Sequence, residues 1–379
     1  MWVTELDLRS WLRETYNDEL GSMKIGTPLN LAEFQSAHRK LLAPQLAIGG
    51  AGWWYYDISH NAFSHPQIQQ EIQQTTALFT ELSRLENHFQ AEVAVVTDAA
   101  TVVDQRIAIN RFRCPVTWLT QYQQYALGHS GVPYDTWLLN DLVQSPQAEN
   151  YKVYVFLNSF ALSAPQRAFV ERLKSARRTL VFNYAPGYLN HGANTYDLDR
   201  LSALVGMAVE TSFQPRAFRA EAEPGLGLLP LQGFGDVFRS QHALTLGQPF
   251  LHVQRFAIID PVAERLAHYA EDGATAIARR DFGDWTALYV APPAGLSPEL
   301  LHAVCRQAGA FTACAPNWAH VAVSDHFLSV YALRNGACDF TLPRPVATVR
   351  DAFTGEQVGT GKSLTLTLSA GQTRWFRLD

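Results

Sequence analysis

The sequence has few cysteines, no long apolar run and no excess of positive charge, and each absence excludes a class of protein. Its cysteines show no CxxC or Cys/His ligand spacing, so we interpret all four as buried or free thiols and not as metal ligands. No apolar run reaches membrane-spanning length. A net charge of −5 offers no basic surface for nucleic acid. The first residues are charged and do not resemble a signal peptide, so we expect a cytoplasmic protein.

The residues that are present predict a large α/β protein. A length of 379 residues exceeds one ordinary core and predicts two or three domains. The clearest local signal is a buried strand at 151–158, a helix capped by Ser163 and Gln166, and a second strand at 178–184. Strand, helix and strand in this order predict a βαβ unit of a parallel sheet.

The pattern of residues 1–90 predicts two βα units. The predicted elements are a strand at 2–6, a helix capped by Asn30 with Glu33, a strand at 45–57 and a long helix that begins after Pro66. Two such units cannot close a barrel or bury both faces of a sheet. We therefore expect the missing strands to lie upstream or to be supplied by another chain.

Residues 91–315 alternate between strands and helices, which predicts a doubly wound α/β domain of flavodoxin type. The predicted elements around the central βαβ unit are a strand at 92–97, helices at 118–127 and 134–143, a long loop at 210–236, strands at 274–279 and 285–290, and a helix at 297–309. Residues 316–379 contain short alternating segments separated by turns, with a hairpin signal at Asn335-Gly336. This pattern predicts a small antiparallel β-sandwich.

Glu5 is the main candidate for catalysis. It lies near the carboxyl end of a strand that opens a βα unit, where barrel enzymes place their catalytic groups. Arg9 nearby would keep the carboxylate ionised. The alternative interpretation is an exposed glutamate near a frayed terminus.

A second candidate cluster ends the strand predicted at 45–57. It comprises Trp53, Trp54, Tyr55, Tyr56 and Asp57. Aromatic faces can pack against the C–H faces of sugars, and a carboxylate can accept hydrogen bonds from their hydroxyls. The alternative is a hydrophobic core with an aspartate cap.

Six segments in this order carry a resemblance to a known family. They are WVTELDLRSWLRE, IGGAGWWYYDISHNAFSHPQIQQEI, AEVAVVTD, YDTWLLNDL, YKVYVFLN and FNYAPGY. Together they resemble the C-terminal half of the family 42 β-galactosidases. The resemblance implies three parts: the last two βα units of a TIM barrel at 1–90, a flavodoxin-like trimerisation domain at 91–315, and a β-sandwich at 316–379.

The same resemblance implies an activity and a set of site residues. Glu5 corresponds to the nucleophile of a retaining glycoside hydrolase that acts on a β-galactoside-like carbohydrate. The implied substrate-binding residues are Arg9, Trp53, Trp54, Tyr56 and Asp57. Neither an organic cofactor nor a metal is implied. The expected assembly is a homotrimer, or a complex with a partner chain that supplies the missing barrel strands.

One departure from the family concerns the second carboxylate. Retaining glycosidases use a nucleophile and an acid/base about 5 Å apart. In the family, the acid/base follows an asparagine, but no Asn-Glu pair occurs in this sequence. Asp57 and Glu19 are possible substitutes, although neither has a positional argument. Two hypotheses follow: a portion of a hydrolase that is inactive alone, or a non-catalytic oligomerisation or carbohydrate-binding protein.

The sequence gives little support for three other kinds of site: a serine nucleophile, a nucleotide-binding site and a metal site. Ser159 follows a strand but has bulky neighbours instead of the glycines of a nucleophile elbow, so we interpret it as a loop or cap residue. The segment after Asp98 is not a phosphate-binding loop, and no dinucleotide fingerprint follows a strand. His60 and His65 have no third ligand nearby, so we interpret them as surface or capping histidines.

Overall fold

A computed structural model describes residues 3–6, 8, 10–12, 28–48, 52–55, 63–85, 91–104, 119–120, 123–190, 195–212, 218–224, 254–293 and 295–379. The chain divides into two compact units. The first comprises 1–90 together with 312–379, and the second comprises 91–311. The division into three parts therefore stays a prediction, since the two ends of the chain share one unit.

The N-terminal part of the first unit alternates strand and helix. Its elements are β1 (Val3–Leu6), α1 (Leu31–Ala47), β2 (Gly52–Tyr55) and α2 (Pro66–Leu82). β1 and β2 pair in parallel, so α1 is the crossover helix between them. The predicted cap of α1 is confirmed, because Asn30 Oδ1 accepts from Glu33 N at 3.0 Å and Glu33 Oε2 accepts from Leu29 N at 2.8 Å.

The predicted strand at 45–57 is too long at its start. Residues 45–47 belong to α1, and the strand comprises only Gly52–Tyr55. Leu42 and Leu46 lie one helical turn apart and are buried in one cluster with Leu6 of β1. Because this apolar face is buried, the helix continues past Pro44. From the local sequence alone, a proline would be expected near a helix end.

The C-terminal part of the first unit is an antiparallel sheet of five strands. They are β15 (Ala319–Val323), β16 (Phe327–Ala332), β17 (Gly336–Asp351), β18 (Gln357–Leu368) and β19 (Thr373–Leu378), in the spatial order β15-β16-β19-β17-β18. The ladder of β17 and β18 has register shifts beyond Thr341. A two-layer sandwich stays a prediction.

The hairpin predicted at Asn335-Gly336 is wrong. β16 pairs with β15 and β19, and the last strand β19 lies between β16 and β17. Trp375 and Phe376 of β19 are fully buried, so the long-range pairing gains more apolar burial than a local hairpin would. Asn335 Oδ1 instead accepts from Ala370 N at 2.8 Å.

The second unit is built on a mixed sheet of ten strands. Its strands are β3 (Val93–Thr97), β4 (Asp135–Leu138), β5 (Val153–Phe156), β6 (Arg178–Asn183), β9 (Val209–Ser212), β10 (Ala220–Ala222), β11 (Arg255–Ile258), β12 (Glu264–Tyr269), β13 (Thr275–Asp281) and β14 (Trp285–Val290). A separate two-residue pair comprises β7 (Leu189–Asn190) and β8 (Thr195–Tyr196). The helices are α3 (Ala99–Asp104), α4 (Gln123–His129), α5 (Leu139–Gln144), α6 (Ala164–Leu173), α7 (Leu198–Val205) and α8 (Pro298–Gln307).

Five parallel strands form one side of this sheet in the order β4-β3-β5-β6-β14. Counted along the chain, this is the order 2-1-3-4-5 of flavodoxin-type doubly wound sheets. Phe156 and Phe182 belong to a core cluster on one face, and Val155 and Val181 belong to a cluster on the other. Both faces are therefore covered, as parallel sheets require.

Several predicted elements of this unit are confirmed and two are wrong. The loop predicted at 210–236 contains β10 (Ala220–Ala222) and most of β9 (Val209–Ser212), which pair with β12 and β11. The βαβ unit of β5, α6 and β6 is present, with the Ser163–Gln166 capping box. The helix predicted at 134–143 is instead β4 followed by α5. Trp137 Nε1 donates to Tyr151 Oη at 2.7 Å, and Tyr151 Oη donates to Asp135 Oδ2 at 2.9 Å. These bonds favour the extended backbone of β4 over the helical pattern of its apolar residues.

Hydroxyl groups join α1 to β19 within the first unit. Thr373 Oγ1 donates to Ser36 O at 2.6 Å, and the two hydroxyl oxygens lie 3.0 Å apart. Ser36 Oγ also donates to Gly371 O. Both residues are buried, so loss of either hydroxyl would leave a polar group without its partner.

Replacement of Thr373 by valine keeps the shape of the side chain and removes its hydroxyl. We expect Thr373→Val to lower the free energy of unfolding by about 1–2 kcal/mol, measured by urea unfolding. Thr367→Val is the matched control on an exposed position of β18, where we expect a change within about 0.5 kcal/mol. Equal effects of the two substitutions would contradict a role for the buried hydroxyl.

Candidate functional site

The parallel pair of β1 and β2 brings two predicted site residues together. Glu5 is in register with Trp54, and Leu6 is in register with Tyr55. The structure describes only the backbone of Glu5 and Trp54. Arg9, Tyr56 and Asp57 were also predicted, and they lie outside the described residues. The register of β1 and β2 therefore places the backbones of two predicted site residues side by side.

One face of this strand pair is covered by helices. Leu6 is buried against α1, and the Trp53 ring packs edge-on against Phe79 of α2 at 4.9 Å between centroids. Tyr55 packs against Phe63, also at 4.9 Å. Because strand residues alternate between faces, the positions of Glu5 and Trp54 belong to the other face of the pair. The contact of Trp53 with Phe79 is typical of a core residue. A role of Trp53 in a sugar pocket stays a prediction.

A buried polar network lies beneath β2. The ring of His38 on α1 stacks on Phe34, and its Nε2 is 2.7 Å from Tyr55 Oη. On the other side, His38 Nδ1 is 3.8 Å from Glu71 Oε1. Glu71 on α2 accepts two hydrogen bonds from Arg39, at 2.7 Å from Nε and 2.6 Å from Nη2. The network connects both helices to the carboxyl end of β2.

Charge and burial fix the protonation states in this network. Burial raises the pKa of Glu71, but hydrogen bonds and charge from Arg39 and His38 outweigh it and hold the pKa below the ordinary glutamate value. Glu71 is therefore an ionised carboxylate. Burial raises the pKa of Tyr55 to about 12, so its hydroxyl keeps its proton.

Sequence reasoning missed this network. His38 is fully buried and lies four residues from both Phe34 and Leu42, on the apolar face of α1. A histidine on the apolar face of a helix was the one signal of this network in the sequence, because a buried imidazole needs hydrogen-bond partners. Its partner Tyr55 was noted only as part of the aromatic cluster. The network can fix the end of β2, next to the positions predicted to bind sugar.

In the second unit, hydrogen bonds join the carboxyl ends of β3 and β5, the place where the strand order of doubly wound sheets reverses and where such sheets commonly bind ligands. Asn158 Oδ1 accepts from Asp98 N at 2.8 Å, and Asn158 Nδ2 donates to Asp98 O at 3.0 Å. The Asp98 carboxylate accepts from Thr101 N and Oγ1 at 3.2 and 2.6 Å. All three side chains are buried. The polar groups of Asp98, Asn158 and Thr101 are thus hydrogen-bonded to one another at this edge.

The structure also describes His65 and Ser159, the residues of two other sites that the sequence had suggested. His65 caps α2, with Nδ1 accepting from Gln67 N at 3.3 Å, which confirms the capping interpretation; His60 lies outside the described residues. The buried Ser159 hydroxyl has no hydrogen-bond partner among the described residues, so no described base activates it. Within the described ranges, no three His, Cys, Asp or Glu side chains could hold a metal ion together. None of the described helices is long and apolar enough to cross a membrane.

Comparisons with known proteins agree on the fold. No protein-family model matches the sequence, and no curated protein matches it. Among solved structures, the β-galactosidase from Bacillus circulans sp. alkalophilus matches 90% of this chain at 17% identity and a TM-score of 0.64. A catalytic mutant of Gan42B, a GH42 β-galactosidase from G. stearothermophilus, matches 92% at 13% identity and 0.59. The α-L-fucosidase isoenzyme 2 from Paenibacillus thiaminolyticus matches 91% at 14% identity and 0.57.

These matches confirm the resemblance at the level of the fold. They cover 52%, 51% and 57% of the three solved chains, respectively, so this chain spans about half the length of the structures it matches. Matches of this extent are those expected for one half of such an enzyme. The same fold in a fucosidase shows that it does not by itself determine the sugar.

The buried Glu71–Arg39 pair provides a test of the network. Glu71→Gln keeps the volume of the side chain but leaves Arg39 without a charged partner. We expect a loss of about 3 kcal/mol in the free energy of unfolding at neutral pH. Because the folded pKa of Glu71 is lowered, its contribution is present above pH 4.5 and is lost as the pH falls through the folded value. Urea unfolding of wild type and variant should therefore converge at acid pH.

The chain offers a matched control on its surface. Arg377 also donates two hydrogen bonds to a glutamate, from Nη1 and Nη2 to Glu81 at 2.7 and 2.6 Å, but with both side chains partly exposed. We expect Glu81→Gln to change the free energy of unfolding by less than about 1 kcal/mol. Similar losses for Glu71→Gln and Glu81→Gln would show that burial does not strengthen the pair.

Proposed function

Starting from a fold shared with half of the family 42 β-galactosidase chain, we propose that this protein is the C-terminal portion of a retaining glycoside hydrolase. Glu5 is its nucleophile. The observation that carries the proposal is the parallel register of β1 and β2, in which Glu5 is paired with Trp54 near the carboxyl ends of both strands. Barrel enzymes assemble their catalytic groups at that end of their strands.

The proposed reaction divides the chemistry between this chain and further barrel strands. Glu5 attacks the anomeric carbon and forms a glycosyl-enzyme, while an acid/base carboxyl protonates the leaving oxygen and later activates water. The further strands supply that acid/base, from a longer polypeptide or from a partner chain. Arg9 holds Glu5 ionised, and Trp53, Trp54, Tyr56 and Asp57 shape the sugar site. The second unit mediates assembly into a trimer.

The network beneath β2 supports this proposal because it pre-organises the strand end. Tyr55 precedes Tyr56 and Asp57, and its hydroxyl is bonded to His38, which is fully buried. A site held by buried hydrogen bonds loses less side-chain and backbone freedom when substrate binds. A non-catalytic carbohydrate-binding or oligomerisation protein is the second candidate. The observation that favours it is the contact of Trp53 with Phe79, which leaves fewer aromatics for a catalytic pocket.

The test replaces Glu5 by glutamine in a protein that contains the remaining barrel strands, as a longer gene product or as a fusion to the preceding half of a family 42 enzyme. We expect Glu5→Gln to reduce kcat for a nitrophenyl β-galactoside by at least about 10³-fold without loss of folding. A 2-deoxy-2-fluoro-galactosyl donor should label the peptide that contains Glu5 and leave Glu5→Gln unlabelled.

Glu81→Gln serves as the control, because it changes an exposed glutamate of the same unit that pairs with Arg377. Unchanged turnover in Glu5→Gln, or label on another residue, would sink the assignment of the nucleophile. Sugar binding by the chain, measured by calorimetry with galactose, together with no turnover in the completed barrel would favour the second candidate.

A further inference from the structure

The Asn335-Gly336 pair lies where the chain enters β17, and it is the one place in the sequence where glycine follows asparagine. Asn335 is exposed, so water reaches its side-chain amide. Gly336 has a φ of +124°, a conformation that favours glycine, and a Cβ atom there would lie 3.4 Å from the Trp318 ring. The fold therefore favours glycine directly after this exposed asparagine.

A backbone N–H contacts the carbonyl group of the same side chain. Asn335 Oδ1 accepts from Ala370 N at 2.8 Å. Ala370 belongs to the turn between β18 and β19, and the next residue of this turn is anchored to the end of β16, because Gly371 N donates to Ala332 O at 2.9 Å. The position of the donor is therefore set by backbone contacts in which the Asn335 side chain takes no part.

We propose that Asn335 is a site of spontaneous deamidation in the folded protein, at which the Ala370 N–H activates the side-chain amide. Negative charge develops on Oδ1 when the Cγ atom is attacked, and a backbone N–H already directed at that oxygen stabilises the charge. The inference is independent of the proposed hydrolase, because it concerns the C-terminal sheet and needs no sugar.

The reaction balances with water as the only co-reactant. Gly336 N loses its proton to the solvent and attacks Asn335 Cγ, which closes a five-membered succinimide ring within one short stretch of chain. The Cγ–Nδ2 bond breaks, and Nδ2 takes up a proton from the solvent and leaves as ammonia. Water then opens the ring at either carbonyl carbon and gives aspartate or isoaspartate. One water is consumed and one ammonia is released, without oxidation or reduction.

Other described asparagines lack a part of this arrangement. Asn150 is exposed, but the bulky and buried Tyr151 follows it and hinders ring closure. Asn158 and Asn183 are buried, so water does not reach their amides readily. Exposure, a following glycine and a fixed N–H donor are combined at Asn335.

The experiment incubates the folded full chain at mildly alkaline pH and follows its peptides by mass. We expect the peptide that contains Asn335 to gain about 1 Da in ordinary water and about 3 Da in water labelled with heavy oxygen, because a side-chain amide becomes a carboxyl group. The gain should precede any gain at Asn150, and the product should separate into aspartate and isoaspartate forms. No gain at Asn335, or an earlier gain at another described asparagine, would overturn the proposal.

Ala370→Pro tests the contribution of the fold. Gln372 N donates to Ser369 O at 3.0 Å, and Gly371 has a φ of +80°, so Ala370 is the second residue of a turn that accepts proline there. The substitution removes the N–H and suits the turn. We expect deamidation to slow by about three- to tenfold. The matched control, Ser369→Ala, keeps the Ala370 N–H and should leave the rate unchanged.

The wild-type chain decides the question even if the proline variant does not fold. Its Asn335 should be modified at least as fast in the folded protein as in the chain unfolded by guanidinium, since only the fold supplies the Ala370 N–H. A faster reaction in the unfolded chain, or an unchanged rate in a folded Ala370→Pro variant, would show that this N–H does not activate the amide and would overturn the proposal.

Discussion

The ion pair of Arg39 and Glu71 is the contact around which the first unit is organised. It joins α1 to α2 with two hydrogen bonds, and the Arg39 guanidinium also lies 3.5 Å from the centre of the Phe353 ring in the C-terminal part of the chain. One cation therefore holds two helices and a residue that follows β17. Since Glu71 is fully buried as an ion, removal of either charge would leave the other without compensation.

This constraint explains why the ends of the chain form one unit. Leu6 of β1 and Trp375 of β19 belong to one buried cluster with Leu42 and Leu46 of α1. Hydroxyls of Ser36 and Thr373 and the ring of Tyr331 under Lys40 add contacts between α1 and the five-stranded sheet. These contacts join the two ends of the chain through α1.

The sequence was most informative where the determining contacts are local. The Asn30–Glu33 cap and the Ser163–Gln166 capping box each involve atoms three or four residues apart, and both were predicted correctly. It was least informative where partners are distant. Arg39 and Glu71 are 32 residues apart in sequence, and β19 enters its sheet through pairing with strands that precede it. Such contacts have no periodic signature, so a local helix or hairpin signal was preferred and proved wrong at 134–143 and at Asn335-Gly336.

The same distinction separates fold from function here. A fold shared at 13–17% identity with β-galactosidases and a fucosidase identifies the scaffold, and chemistry depends on individual side chains. In the second unit, the Asn158 side chain hydrogen-bonds to the Asp98 backbone at the carboxyl ends of β3 and β5. In the first unit, the strand ends keep Glu5 in register with Trp54, above a network that fixes Tyr55. The proposed chemistry therefore concerns the carboxyl ends of two short parallel strands, and the further barrel strands of the proposal would pair with them at their edges.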